Sequence, residues 1–454
     1  MLINQLKKEL VLGKQAASRF MNSLTLAEVL VVLKESPVVE QALIFDLLEI
    51  PLALKTFSFL DVKNQQVLVN ELASEKVALL LENLPADDRT AFLEELPSNI
   101  VKELLRLLSP EERGITLSLL GYPEGSVGRL MTPDYITVQK EWTITETLNY
   151  VRENGQDSET VNVLYVVDAD GKVIDDVRIR EILFVDPSKK IADVMDARFL
   201  SLLATDNEEV AIAMFRKNNR FALPVTDAQG VLLGIVTIDD VLRLAAREDT
   251  EDIQKMGGSE QLDEPYMTIS FMNLMKKRAG WLIVLFIGEM LTATAMGFFE
   301  GEIAKAVVLA LFVPLIISSG GNSGSQASTL IIRAMALGEI SIKDWWKVMR
   351  REIMSGLFLG CTLGFIGFIR IAIWTLFSPV YGEHWILVAA TVMVSLIGVV
   401  LWGTISGSML PLILKKLGAD PATSSAPFVA TLVDVTGLVI YFSVAYFFFK
   451  GTLL

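Results

Sequence analysis

The chain has 454 residues with 54 Asp and Glu against 40 Lys and Arg, yet 52% of it is apolar and its mean hydropathy is +0.47, above the balance of an ordinary soluble protein. The acidic excess excludes a nucleic-acid binder, which needs a basic surface to displace counterions; one cysteine (Cys361) and one histidine (His384) exclude a disulfide framework and a zinc site built on several imidazoles. The charge is divided unevenly: from Ala279 onward 176 residues hold 9 acidic and 10 basic groups, leaving residues 1–278 with 45 and 30, a net charge of −15.

Residues 1–127 read as an acidic, all-helical domain. The opening MLINQLKKELVLGK is amphipathic and lacks the apolar core of a signal peptide. Leu84-Pro85, Leu96-Pro97 and Leu108-Ser109-Pro110 recur every 12 residues. Segments such as PADDRTAFLEELP begin with the Pro and Asp that a helix N-terminus favours. Short helices on a fixed period predict a superhelical array of stacked hairpins.

Residues 128–245 change character. VNVLYVVDADGKVIDDVRIREIL (161–183) aligns with RFALPVTDAQGVLLGIVTIDDVL (220–242) at an offset of 59, matching Asp168 to Asp227 and Gly171 to Gly230. Each copy shows two β-rich runs around an Asp-x-x-Gly turn, then a helix. The pair resembles tandem CBS modules, α/β units that form a pseudo-symmetric disc and sense small ligands. The acidic pair Asp175-Asp176 in the first copy, opposite Gly234-Ile235 in the second, argues against nucleotide binding there. A connecting helix over 246–278 follows, with Glu248, Asp249, Glu251 and Asp252 clustered in AAREDTEDIQKMGG.

Residues 279–454 form the membrane domain. Crossing the hydrocarbon takes about 20 helical residues, and five stretches suffice, at about 281–299, 306–332, 353–377, 385–414 and 427–449. Basic flanks alternate: Lys276, Lys277 and Arg278 before span one, Lys305 alone in the first loop, five basic residues between spans two and three, none in SPVYGEH, Lys415 and Lys416 before span five, and Lys450 after it. Positive flanks stay inside, which predicts a multi-pass inner-membrane protein of a bacterium with a cytoplasmic N-terminus and an external C-terminus.

Two membrane features can carry chemistry. Asp434 lies in span five, where an unpaired carboxylate is costly and marks an ion or proton path by default. Ala430 and Gly437 share its helix face. The run Ser318-Ser319-Gly320-Gly321-Asn322-Ser323-Gly324-Ser325-Gln326 predicts a break in span two whose carbonyls line a cavity. Hard oxygen ligands without thiolate or imidazole suit Mg2+ or Ca2+. Glu289 in span one has no evident role, Arg370 is expected at an interface, and His384 is incidental.

In this order of parts the chain resembles the MgtE family of magnesium channels and transporters. The segments YPEGSVGRLMTP (122–133), IDDVLRLAAREDTEDIQKMGG (238–258), PLIISSGGNSGSQASTLIIRAMALGEI (314–340) and PFVATLVDVTGLVIYFSVA (427–445) carry the resemblance. It implies a homodimer in membrane lipid with a pore formed mainly by spans two and five, lined near Asp434 by Ala430, Gly437, Gly320, Gly321, Asn322 and Gly324. It further implies Mg2+ as substrate and regulator. Asp420 would meet the connecting helix through Mg2+, while Glu248, Glu251 and Asp252 act as regulatory acids on that helix. Asp240 and Glu209 would be CBS-domain ligands, and Asp87 and Asp88 candidate N-domain ligands. Arg243 and Asn219 stand where the family pattern has acids.

The expected function is a Mg2+-selective uptake channel closed by cytosolic Mg2+. The alternatives are a proton- or Na+-coupled divalent-cation carrier using Asp434 or Glu289, and a membrane-anchored sensor whose CBS pair holds an adenine nucleotide. An enzyme is not expected, because the sequence shows no nucleophile–base set, Walker motif or His cluster.

Overall fold

The computed structural model describes residues 2–450 apart from 263, 265, 268 and 302–306. Lys305, the basic residue assigned to the first loop, lies outside the described residues. The chain divides into two compact units, Met1–Ala245 and Ala246–Leu454.

The first unit opens with short helices, ten of them among the described residues, from Leu2–Leu12 to Pro110–Leu120. The predicted period is real, and its physical basis lies in the helix starts. Thr25 and Glu28 form a reciprocal capping box at Leu26–Glu35, and Ser109 caps Pro110–Leu120 by accepting the Glu112 N–H. One core unites these helices through Leu33, Phe57, Leu81 and Phe92. Arg89 is fully buried among them. It donates to Thr116 Oγ1 (2.8 Å) and to the Leu81 carbonyl (2.9 Å), and pairs with Glu112.

The repeat at 128–245 folds as two three-stranded sheets of equal topology. In the first, β1 (Thr137–Val138) runs parallel to β2 (Val163–Val167), which pairs antiparallel with β3 (Val173–Arg178). In the second, β4 (Leu202–Leu203), β5 (Ala222–Thr226) and β6 (Leu232–Thr237) repeat the pattern. Asp168 and Asp227 each accept two backbone N–H bonds across their turns. Gly171 (φ 77°) and Gly230 (φ 86°) supply the positive φ those turns need. The two turns bond to each other, Val173 N to Gly230 O and Leu232 N to Gly171 O, closing the pseudo-symmetric pair.

The acidic pair in β3 has structural partners. Asp175 is fully buried and accepts the N–H groups of Asp196 (2.9 Å) and Ala197 (3.0 Å), holding Ala197 at φ 55°. Asp176 pairs with Arg220 at 2.6 Å, a link from the first copy to the second.

In the second unit five helices are long and apolar enough to cross a membrane: Phe271–Phe298, Val307–Ala336, Ile342–Trp374, Trp385–Lys416 and Ala426–Phe449, here spans one to five. Their packing corrects one expectation. The Gly-rich run does not break span two, for Val313–Ala336 is a continuous helix straight through Gly320–Gly324. The irregular residues are Leu311 and Phe312, before Pro314. The glycines allow close approach instead. A Cβ on Gly403 of span four would lie 2.4 Å from the Gly320 carbonyl oxygen, and one on Gly407 would lie 2.1 Å from that of Gly324. On span three, Gly356, Gly360 and Gly364 meet span four in the same way. Span one has no buried residue and touches span five through Gly288 against Thr431.

Candidate functional site

Three groups of the expected residues come together, one in the membrane and two on the cytoplasmic side. In the membrane, spans two and five lie side by side because Gly320, Gly321 and Gly324 carry no Cβ. A Cβ on Gly321 would stand 3.4 Å from Ala430 Cβ and 3.6 Å from Asp434 Oδ1. The structure thus brings Gly321, Ala430 and Asp434 into one patch. Gly320 and Gly437 pack on Val399, and Gly324 packs on Val429 and Gly403, so these three serve the helix contacts behind the patch. Asn322 is exposed, its side-chain amide 3.4 Å from Ser318 Oγ.

Arg370 of span three and Arg333 of span two are engaged away from Asp434. Arg370 donates to Tyr381 Oη (3.0 Å) and lies over Trp374, whereas Arg333 stands 3.5 Å from Asp249. Ser318, Asn322, Gln326 and Thr329 form an exposed polar stripe on span two at helical spacing. Gly321 and Ser325 lie beside it, which joins the stripe to the Asp434 patch. A polar stripe at membrane depth is stable against water or protein, not against lipid tails.

The second group anchors the connecting segment. The last turn of the helix Ile238–Met256 meets the turn before span five through Lys255. Lys255 Nζ lies 2.7 Å from Asp420 Oδ2 and 2.5 Å from Glu251 Oε1. Gly258 (φ 74°) fits against Trp281 and Pro427, where a Cβ would meet the indole at 2.9 Å. The Trp281 N–H donates to Ser425 Oγ (3.1 Å), the cap of span five. Asp420 and Glu251 are therefore brought together, and the direct link between them is an ammonium group. Burial works to lower the Lys255 pKa, but the hydrogen bonds it donates to both carboxylates, and their charges, raise it above the usual lysine value. Glu248 and Asp252 lie half-buried on the same helix.

The third group joins the helical domain to the CBS pair within the first unit. Asp87 and Asp88 stand in the first turn of the helix Ala86–Glu94, and Asp240 in the first turn of Ile238–Met256. Among the described residues, Asp87, Asp88 and Asp240 each bring a carboxylate oxygen within 4.8 Å of the others. Burial, reinforced by the charges of Asp240 and Asp88, pushes the Asp87 carboxyl well above the usual range, and its Oδ1 is buried with no hydrogen-bond partner. Burial also raises Asp240 to about 6 and Glu159 to about 7, the latter helped by repulsion from Asp240 and Asp239. Acids held at such a cost suit a compensating cation. Arg243 enters the group beside Asp88 and Asp240.

Glu209 stands in the first turn of the helix Glu208–Asn218. Asn219 ends that helix in the left-handed region (φ 51°), a conformation that Asn tolerates.

Sequence reasoning missed the partners Lys255 and Trp281. Lys255 was findable as the i+4 neighbour of Glu251; nothing local announces that Trp281 meets Ser425, 144 positions away.

Comparison with known proteins agrees with this arrangement. Profiles for a divalent cation transporter, the MgtE intracellular N domain and the CBS domain match residues 313–444, 24–125, and 127–188 with 191–247. The magnesium transporter MgtE of Thermus thermophilus is 38% identical over 361 residues, covering 79% of this chain and 78% of that protein. That of Bacillus subtilis is 28% identical over 381 residues, covering 84% and 82%. A crystal structure of the cytosolic domain of the Mg2+ channel MgtE in complex with ATP superposes with TM-score 0.52 at 26% identity, covering 53% of this chain and 99% of that one. A helical N domain, a CBS pair and five spans packed on glycine contacts, read beside these matches, place the chain in the MgtE family of magnesium transporters.

Proposed function

We propose that this protein is a Mg2+-selective uptake channel, closed by high cytosolic Mg2+. The observation that carries this reading is the patch of Gly321, Ala430 and Asp434 beside an exposed polar stripe on span two. A second copy of the chain covers the stripe and completes the pathway, so the working unit is a homodimer in the lipid bilayer. Asp434 supplies the anionic ligand. Mg2+ surrenders its waters reluctantly, so one carboxylate per chain on a small-residue face suits a largely hydrated ion. The alternating basic flanks support a C-terminus on the outside.

Gating follows from the acidic cytoplasmic half. Its −15 per chain makes carboxylates such as Glu248, Glu251, Asp252 and Asp420 repel one another when bare. With Mg2+ bound among them and among Asp87, Asp88, Asp240 and Glu209, repulsion falls and the connecting helix stays against the pore mouth. When cytosolic Mg2+ drops, the acids around the connecting helix repel one another again and the pathway opens. ATP in the related cytosolic domain supports an adenine nucleotide at the CBS pair here as well.

A coupled carrier is the second reading, favoured only by Glu289 in span one near Asp434. Mg2+ flux into proteoliposomes with and without a proton or Na+ gradient separates the two. The channel reading expects flux that follows the Mg2+ gradient alone and is lost in Asp434→Ala. Wild-type flux in Asp434→Ala would overturn the assignment of the pathway.

A further inference from the structure

Arg243 stands among the acids that the preceding reading assigns to a regulatory divalent cation. The helix Ile238–Met256 sets it one turn after Asp240, to which it bonds. Its Nη2 is 3.1 Å from Asp88 Oδ1, and the guanidinium lies over the Phe59 ring at 5.4 Å. Asp88 and Phe59 belong to the helical domain, whereas Asp240 and Arg243 belong to the second CBS copy. One side chain thus ties the two regions together without any ion.

The remaining acid shows that the guanidinium does not complete the site. Asp87 Oδ1 is buried and has no hydrogen-bond partner, although it shares the 4.8 Å cluster with Asp88 and Asp240. Three carboxylates against one guanidinium leave a deficit of positive charge, which a divalent ion would remedy. Yet that ion and the guanidinium need the same oxygens of Asp88 and Asp240, and two cations a few ångströms apart repel. The Arg243 side chain is 35% exposed, so it has open solvent to move into.

We propose that Arg243 is a built-in competitor for the divalent cation at Asp87, Asp88 and Asp240. Its guanidinium holds the helical domain against the CBS pair when the ion is absent, and it swings out when the ion takes the carboxylates. The consequence is a regulatory site that stays docked in low Mg2+ and needs more Mg2+ to fill. This rests on reading the three aspartates as an ion site.

Hydrogen exchange on the full-length protein in detergent micelles tests it, following peptides that cover 86–94 and 238–245 in EDTA and through a Mg2+ titration. Wild type is expected to stay protected in EDTA. Arg243→Gln is expected to lose that protection in EDTA and to regain it with Mg2+, at a midpoint on the order of tenfold below the concentration that alters wild-type exchange. Recovery in Mg2+ also shows that the variant folds. Arg243→Lys keeps the charge and is expected to stay protected in EDTA. An unprotected wild type in EDTA, or an Arg243→Gln midpoint equal to or above that of wild type, overturns the competition while leaving the ion site in place. If neither protein responds to Mg2+ at these peptides, the three aspartates are no ion site and the proposal falls with that reading.

Discussion

Replacing Gly407 by alanine tests how the membrane glycines act. The new Cβ would stand 2.1 Å from the Gly324 carbonyl oxygen, 2.8 Å from its carbon and 2.9 Å from its Cα. Ordinary contact begins near 3.4 Å, so spans two and four must part by about 1.3 Å at that level. The obstacle is helical backbone, which cannot rotate aside as a side chain would. Overpacking of this kind costs about 1–3 kcal/mol, and rigid backbone puts the cost at the upper end. The displacement also carries Gly321 away from Ala430 and Asp434, so transport should fall together with stability. Gly321→Ala is the control: its Cβ meets Ala430 at 3.4 Å and Asp434 at 3.6 Å, both within ordinary contact. Thermal unfolding in detergent and Mg2+ flux in proteoliposomes read the two effects. Gly407→Ala should lower both, whereas Gly321→Ala should keep the melting temperature, so that any flux it loses reports on the pathway itself. A Gly407→Ala protein that melts and conducts like wild type would refute the packing account.

Further predictions concern charge pairs. Arg220→Ala leaves Asp176, its side chain 4% exposed, without a partner, a loss of about 3–5 kcal/mol read as a lower melting transition of the CBS pair, with Asp176→Asn in the same chain recovering most of it. Burial already raises the Asp176 carboxyl despite Arg220, and the variant raises it further. The folded state then takes up a proton more readily than the unfolded one, so the deficit of Arg220→Ala should shrink as pH falls through that raised pKa and grow above it. Lys255→Met leaves Glu251 and Asp420 facing each other, so protease cleavage near Gly257 should increase in EDTA and return to wild type in millimolar Mg2+; equal cleavage in EDTA would refute an anchoring role for Lys255. Neutralising Glu248, Glu251 and Asp252 together to Gln should weaken Mg2+ inhibition in patch recordings without abolishing conduction.

Much of the fold was legible because its signals are local. The 12-residue period, the Asp-x-x-Gly turns and the apolar runs each state one element's type within a few residues. Long-range pairings were not legible. That Asp175 would accept the N–H groups of Asp196 and Ala197, or that Asp176 would find Arg220, depends on where two CBS copies meet. From sequence the pair read only as an argument against nucleotide binding in that copy, whereas Asp175 is wholly buried and bonded. Asp87, Asp88 and Asp240 could be named singly, yet their union across more than 150 positions is a product of tertiary packing.

The misread glycines show where the signal divides. Glycine lowers the barrier to leaving a helix, and it also removes the Cβ that keeps helices apart; one run of sequence supports both readings. Spacing decides between them. Gly320 and Gly324 lie four apart, as do Gly403 and Gly407, and Gly356, Gly360 and Gly364 repeat the interval on span three. A four-residue repeat returns to one face of an intact helix, whereas a broken segment has no reason to keep that period. The repeat therefore argues for continuous, closely packed helices. It also limits what span two can offer an ion, because its mid-membrane carbonyls remain bonded within the helix. On the proposed channel reading, the negative ligand at that depth is then the Asp434 carboxylate and no span-two carbonyl, with the Ser318, Asn322 and Gln326 side chains able to receive the waters of a hydrated ion.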